Sequence, residues 1–292
     1  MCDEDTVEDN KKYLRHSGYL SRRSFNALTT GAALALLVPH AANAMEVIET
    51  DVMVQTPDGM ADCLFVHPAT GKYPGVIIWP DILGLRPAFR LMGKRLAASG
   101  YSVLVVNPYY RSASSPVIAE GASFQDESTR NTVLPMARSL SAKTNMTDAR
   151  AFVDFLDTQS PVDTRRKMGT TGYCMGGPMT MRTAAAVPDR IGAGASFHGG
   201  RLVTDKPDSP HLLVPTMSAQ FLFAIAANDD EREPNVKKVL RETYDEAGLA
   251  AEIEVYEGAM HGWCPPDSRV YNEQQAERAW ARLLVLFENA LA

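Results

Sequence analysis

Three short segments of this chain hold residue types that together make a nucleophilic mechanism. Gly172-Tyr173-Cys174-Met175-Gly176-Gly177 sets one cysteine between glycines two residues to either side. Glycine lacks a Cβ, so this frame lets the backbone turn sharply from strand into helix and lift the central side chain out at a sheet edge. At the start of a helix the positive end of the dipole favours thiolate. The same six residues also describe a glycine-rich turn around a buried, inert cysteine, and alone they leave the two readings even.

A nucleophile needs a base, and the base needs a group to orient it. The apolar run Phe221-Leu222-Phe223-Ala224-Ile225-Ala226 leads through Ala227 and Asn228 into two adjacent carboxylates, Asp229 and Asp230. Glu257-Gly258-Ala259-Met260-His261-Gly262-Trp263 then puts a histidine in a loop of small residues. Adjacent side chains leaving a strand point different ways, so only one aspartate meets the imidazole. Asp229 is favoured as the first to leave the strand, with Asp230 as the alternative. Taken singly, the aspartates read as a solvated turn or a helix cap, and His261 as a surface histidine. Their order after Cys174, acid and then histidine, is what joins them. His198 follows another apolar run and competes as the base, but it precedes both acids, and a packing or loop-shaping role suits it better. No spacing of His, Cys and Asp suggests a closed metal site, and no glycine-rich loop suggests phosphate binding.

The elements that must position these residues alternate between strand and helix. Segments 46–55 and 61–66 flank Pro57-Asp58-Gly59 and predict an antiparallel hairpin. Continuous apolar runs at 75–79 and 101–106 predict strands buried on both faces. Further strands are expected at 167–173, feeding the cysteine turn, and at 191–197, 220–227 and 252–256. Helical spacing appears at 87–99, 147–158, 177–187, 236–247 and 271–291. Residues 107–131 lack periodicity and read as a long loop or short irregular helices. This alternation predicts a mostly parallel sheet with helices on both faces, whose ligands bind beyond the carboxyl ends of the strands.

The 292 residues are 45% hydrophobic and 22% charged, ordinary globular values. A net charge of −6 argues against a nucleic-acid partner, which calls for clustered positive charge. Residues 1–44 read as an export signal preceding one domain at 45–292. Ser21-Arg22-Arg23-Ser24-Phe25 resembles a twin-arginine signature, 27–38 is an apolar run too short to span a membrane, and Ala42-Asn43-Ala44 suits cleavage after Ala44. The acidic stretch 3–9 ahead of the arginines is expected to be a disordered extension. The implied destination is the periplasm or the exterior, reached through the export machinery without a stable membrane anchor. Loss of Cys2 leaves Cys63, Cys174 and Cys264, an odd number, so a disulfide framework is not what holds this chain. The oligomeric state is not legible.

With these residues assembled, the chain from about residue 46 onward resembles the dienelactone hydrolase family. Gly172-Tyr173-Cys174-Met175-Gly176-Gly177 is similar to that family's cysteine elbow, and Glu257-Gly258-Ala259-Met260-His261-Gly262 to its histidine loop. The resemblance implies an α/β-hydrolase fold without a large cap domain and a Cys174–His261–Asp229 triad. It implies an oxyanion hole from the backbone N–H groups of Ile82 and Met175. It also places Asp81 beside the thiol, where the family commonly has glutamate, and puts Arg111 on a segment that binds a substrate carboxylate. Trp263 stands near a second family arginine that has no counterpart after His261, and is expected to shape substrate binding. The implied reaction is hydrolysis of a small-molecule ester or lactone through an acyl-enzyme, with no cofactor required. Two other readings remain: a peroxide-reactive thiol protein in which Cys264 resolves Cys174, and a binding domain that keeps the fold without catalysis.

Overall fold

The computed structural model describes residues 4–16 and 44–292. The twin-arginine signature, the apolar run at 27–38 and most of the cleavage signal therefore lie outside the described residues. From residue 47 onward the chain builds one eight-stranded sheet. Its strands are β1 (Val47–Thr56), β2 (Gly59–Pro68), β3 (Gly75–Trp79), β4 (Ser102–Val106), β5 (Met168–Tyr173), β6 (Ile191–Phe197), β7 (Gln220–Ala226) and β8 (Ala251–Tyr256). They lie in the order β1-β2-β4-β3-β5-β6-β7-β8. The β1–β2 and β2–β4 pairs are antiparallel, and every later pair is parallel. The expected hairpin and the mostly parallel sheet are both present.

Side chains alternate between faces along a strand, and the parallel strands here are apolar on both. Ile77 on β3 and Leu104 on β4 face one core with Phe152, Leu156 and Met181. Their neighbours Val76, Ile78, Val103 and Val105 face the other core with Phe89, Leu96 and Phe287. The first layer belongs to α4 (Ala142–Thr158) and α5 (Gly176–Ala186), with α7 (Val236–Ala247) further along. The second belongs to α2 (Pro87–Ala98) and α8 (Glu273–Ala290). Each fully buried Phe or Leu in these layers contributes on the order of 1.5–3 kcal/mol. Among the described residues no large cap domain interrupts the sheet, and no helix is long and apolar enough to cross a membrane.

Three elements depart from expectation. The acidic segment ahead of the arginines is a helix, α1 (Glu4–His16), rather than a disordered extension. Its acids come first and its bases last, which suits the helix dipole, and Thr6 and Val7 are buried against the body of the protein. α3 (Glu127–Ser139) begins inside the stretch read as irregular; only Thr129 and Val133 are buried and Pro135 lies within it, so its apolar stripe is faint. α4 starts five residues before the periodic run, because Ser141 and Thr144 form a reciprocal capping box. The short helix α6 (Ala227–Arg232) follows β7 directly.

Candidate active site

Cys174 stands at the carboxyl end of β5 with φ at +52°, a left-handed conformation rare for a residue with a side chain. The flanking glycines make this turn possible. A Cβ on Gly172 would come within 2.1 Å of the Gly176 carbonyl oxygen, and one on Gly176 within 2.2 Å of the Trp79 carbonyl oxygen. The Cys174 N–H donates to the Phe197 carbonyl at 3.0 Å, which anchors the elbow to β6. α5 starts two residues later, so the thiol lies at a helix N-terminus.

At the ends of β7 and β8, His261 Nδ1 and Asp229 Oδ2 are 2.7 Å apart. Asn228 fixes the same loop by accepting the His261 backbone N–H at 2.8 Å. Asp230 turns away and pairs with Lys237 at 2.6 Å, so it is Asp229 that meets the imidazole. Burial opposes charge on His261, but Asp229 and a thiolate at Cys174 outweigh it and push the imidazole up to about 9. Burial likewise opposes charge on Asp229, yet the adjacent imidazolium holds its carboxyl below the usual range. His261 Nε2 has no hydrogen-bond partner among the described residues. It lines one cavity with Cys174, the atom pair needed to move a proton between sulfur and nitrogen.

Asp81 and Ile82, in the turn after β3, line this cavity too. Arg86, at the N-cap of α2, is 5% exposed and reaches two carboxylates at once. It donates to Asp81 Oδ1 and Oδ2 at 2.7 and 3.0 Å, and to Asp267 at 2.6 and 2.9 Å. Burial pushes the Asp81 carboxyl up, and Arg86 pulls against that. Both Asp81 oxygens are thus committed to Arg86, with Oδ1 also accepting the Leu83 N–H at 2.9 Å. Sequence reasoning missed Arg86; an arginine wedged between apolar Leu85 and Pro87 at a helix start was the available signal. It also missed Tyr109. The Tyr109 hydroxyl donates to the Ile82 carbonyl at 2.9 Å and lies 3.3 Å from Met175 Sδ, tying together the two residues expected to supply the oxyanion hole.

Arg111 is not among the residues lining this cavity. Its guanidinium is held by Asp148 at 2.6 and 2.8 Å and by Asp58 at 2.7 and 3.0 Å, tying the β1–β2 turn to α4. The cavity's arginines are Arg86 and Arg269 instead, so a second cation does follow His261, eight residues on. Trp263 is fully buried behind the site, stacked on Tyr256 with its ring 5.1 Å from His198. His198 does reach the cavity, with φ at +40° and neither ring nitrogen partnered among the described residues. Burial first, and then His261, hold it well below the usual histidine range, so it is neutral beside the charged imidazole. Cys264 lies in a separate hollow against Tyr173 and Phe197, and burial pushes its thiol well up. Cys63, Cys174 and Cys264 are all buried and outside any disulfide. Among the described residues no group of three or more His, Cys, Asp or Glu side chains is arranged to hold a metal ion.

A model of the dienelactone hydrolase family matches residues 61–291. A Methylorubrum extorquens protein named as a carboxymethylenebutenolidase is 28% identical over 280 residues, covering 90% of this chain and 91% of its own. An Escherichia coli protein of the same name is 27% identical over 225 residues, covering 75% and 78%. A Klebsiella pneumoniae crystal structure named as a dienelactone hydrolase superposes with a TM-score of 0.71 at 21% identity. It covers 83% of this chain and 99% of its own, a likeness of fold.

Proposed function

This chain belongs to the dienelactone hydrolase family, and from that premise we propose that it hydrolyses a carboxylic ester or lactone through a thioester on Cys174. The observation that carries the reading is the 2.7 Å Asp229–His261 contact, with His261 Nε2 left unpartnered in the cavity that Cys174 lines. The Cys174 thiolate attacks the ester carbonyl carbon, and the oxyanion forms beside the Ile82 and Met175 amides. The carbon–oxygen bond to the leaving group breaks, and the His261 imidazolium gives that oxygen its proton. Neutral His261 then draws a proton from water as the water attacks the thioester, and the thiolate departs. Asp229 keeps the imidazole in the tautomer and orientation both steps need. With Arg111 held elsewhere by Asp58 and Asp148, and Arg86 taken up by Asp81 and Asp267, recognition of an acidic substrate group falls to Arg269.

The decisive experiment combines a panel of p-nitrophenyl esters and small lactones with mass spectrometry of rapidly quenched protein. An acyl adduct on Cys174, and loss of turnover in Cys174→Ala, are expected. Turnover that survives Cys174→Ala would end the proposal.

Residues 1–44 direct the protein to twin-arginine export and are cut off after Ala44, leaving 45–292 in the periplasm or outside the cell. The support is Arg22-Arg23, the apolar run behind it and Ala42-Asn43-Ala44. N-terminal sequencing of the exported protein should begin at Met45; an intact Met1 there contradicts it.

A further inference from the structure

Cys174 and His261 are each 1% exposed, and His198 is 0% exposed, so the cavity they line leaves these groups covered. Part of the wall that closes it comes from α1. Thr6, Val7 and Asn10 line the cavity alongside Cys174 and His261, with Thr6 2% and Val7 6% exposed. Asp9, on the same helix, is held by Arg232 at 2.5 Å and by Asn228 Nδ2 at 3.3 Å. Asn228 is also the residue whose Oδ1 fixes the His261 loop, so one amide latches both the helix and the base. The cavity wall carries Asp81 and Asp267 as well as Arg86 and Arg269, so the helix is held by the Asp9–Arg232 pair and by the burial of Val7 rather than by the charge of the wall.

We propose that the rim of this cavity is a docking surface for a helix, and that its occupant is the chain's own Glu4–His16, which shuts the site while it remains attached. Val7 supplies the apolar contact and Asp9 the charged one. Cleavage after Ala44 removes the whole helix, so a precursor inside the cell is inactive and the exported enzyme is open. The proposal goes beyond hydrolysis: the docked state needs only that Cys174 be a thiol reachable from the cavity, and the opening step rests on the proposed cleavage after Ala44.

The test therefore reads that thiol directly. Purified full-length chain is treated with iodoacetamide, and carbamidomethylation of the Cys174 peptide is followed by mass spectrometry, with unfolding temperature measured alongside. Asp9→Lys and Val7→Glu are expected to raise the Cys174 labelling rate at least tenfold at unchanged unfolding temperature. Arg232→Asp should do the same, and combining it with Asp9→Arg should return labelling to the slow wild-type rate. Fast labelling of the wild-type full chain, or equal rates across the set, would overturn the proposal. Ester turnover is measured in the same samples. Accelerated labelling without turnover would uphold the docked helix and remove the hydrolase reading, whereas turnover at equal labelling rates would do the reverse.

Discussion

The Tyr109 hydroxyl donates to the Ile82 carbonyl at 2.9 Å from the loop after β4, across to the turn after β3. That bond fixes the Ile82–Leu83 peptide, next along the turn from the one that carries the Ile82 N–H, and the hydroxyl also lies 3.3 Å from Met175 Sδ in the elbow. Removing the hydroxyl takes away one hydrogen bond worth roughly 0.5–1.5 kcal/mol while leaving the ring in place. Tyr109→Phe is expected to lower kcat on a p-nitrophenyl ester about fivefold to tenfold, with KM little changed. A change confined to KM would mean that Tyr109 serves binding rather than the oxyanion turn.

His261 and Asp229 divide one task, and their variants should differ in kind. His261→Ala removes the proton carrier and should lower kcat by roughly 10²–10⁴-fold. Asp229→Asn keeps the shape but frees the imidazole to take the wrong tautomer, and should also lower kcat by orders of magnitude. Asp230→Asn should leave kcat within about twofold, because Asp230 is engaged with Lys237. Equal losses at Asp229 and Asp230 would contradict the geometry.

The same pair links stability to pH. His261 is raised from 6.5 to about 9 in the folded protein, so its contribution is fully present below 6.5 and is lost as pH rises through about 9. Asp229 is lowered from 3.8, so its contribution is present above that value and is lost as pH falls below it. Wild-type protein should therefore lose more stability than His261→Gln between pH 6.5 and pH 9. Urea midpoints at three pH values would show this, and parallel curves for the two proteins would refute it.

Arg86 is the buried cation between two buried or half-buried carboxylates. Arg86→Met would leave Asp81 and Asp267 facing each other without it, and breaking such a pair costs about 3–5 kcal/mol. The unfolding temperature should drop markedly, even though methionine roughly fills the space. The triple change Arg86→Met, Asp81→Asn and Asp267→Asn should recover part of the loss, since no unpaired charge is left behind.

Much of this arrangement was legible in the chain because it depends on local rules. All eight strands follow from apolar runs and turn residues, and the elbow from Gly172 and Gly176, whose Cβ atoms would strike backbone. The meeting of Asp229 with His261 was anticipated from order along the chain, with Asp230 as the alternative, and the structure shows why the alternative fails: Lys237 takes the second carboxylate. Arg111 shows where local reading stops. Its neighbours in the chain resemble a substrate-binding segment, while its partners, Asp58 and Asp148, are supplied from elsewhere in the fold. Arg86 and Tyr109 were passed over for the same reason, since their partners are Asp267 and Met175. α3 escaped notice because only two of its residues are buried.

The bond from Arg86 to Asp267 spans 181 positions of the chain. A ribosome that has released the elbow has not yet made the loop that carries Asp267 and His261. Growing chains therefore bear Cys174 for some time without its base and without the anion that completes the Arg86 cluster. The elbow waits for the last loop to dock before His261 and Asp267 can join it, and a chain truncated ahead of that loop lacks both.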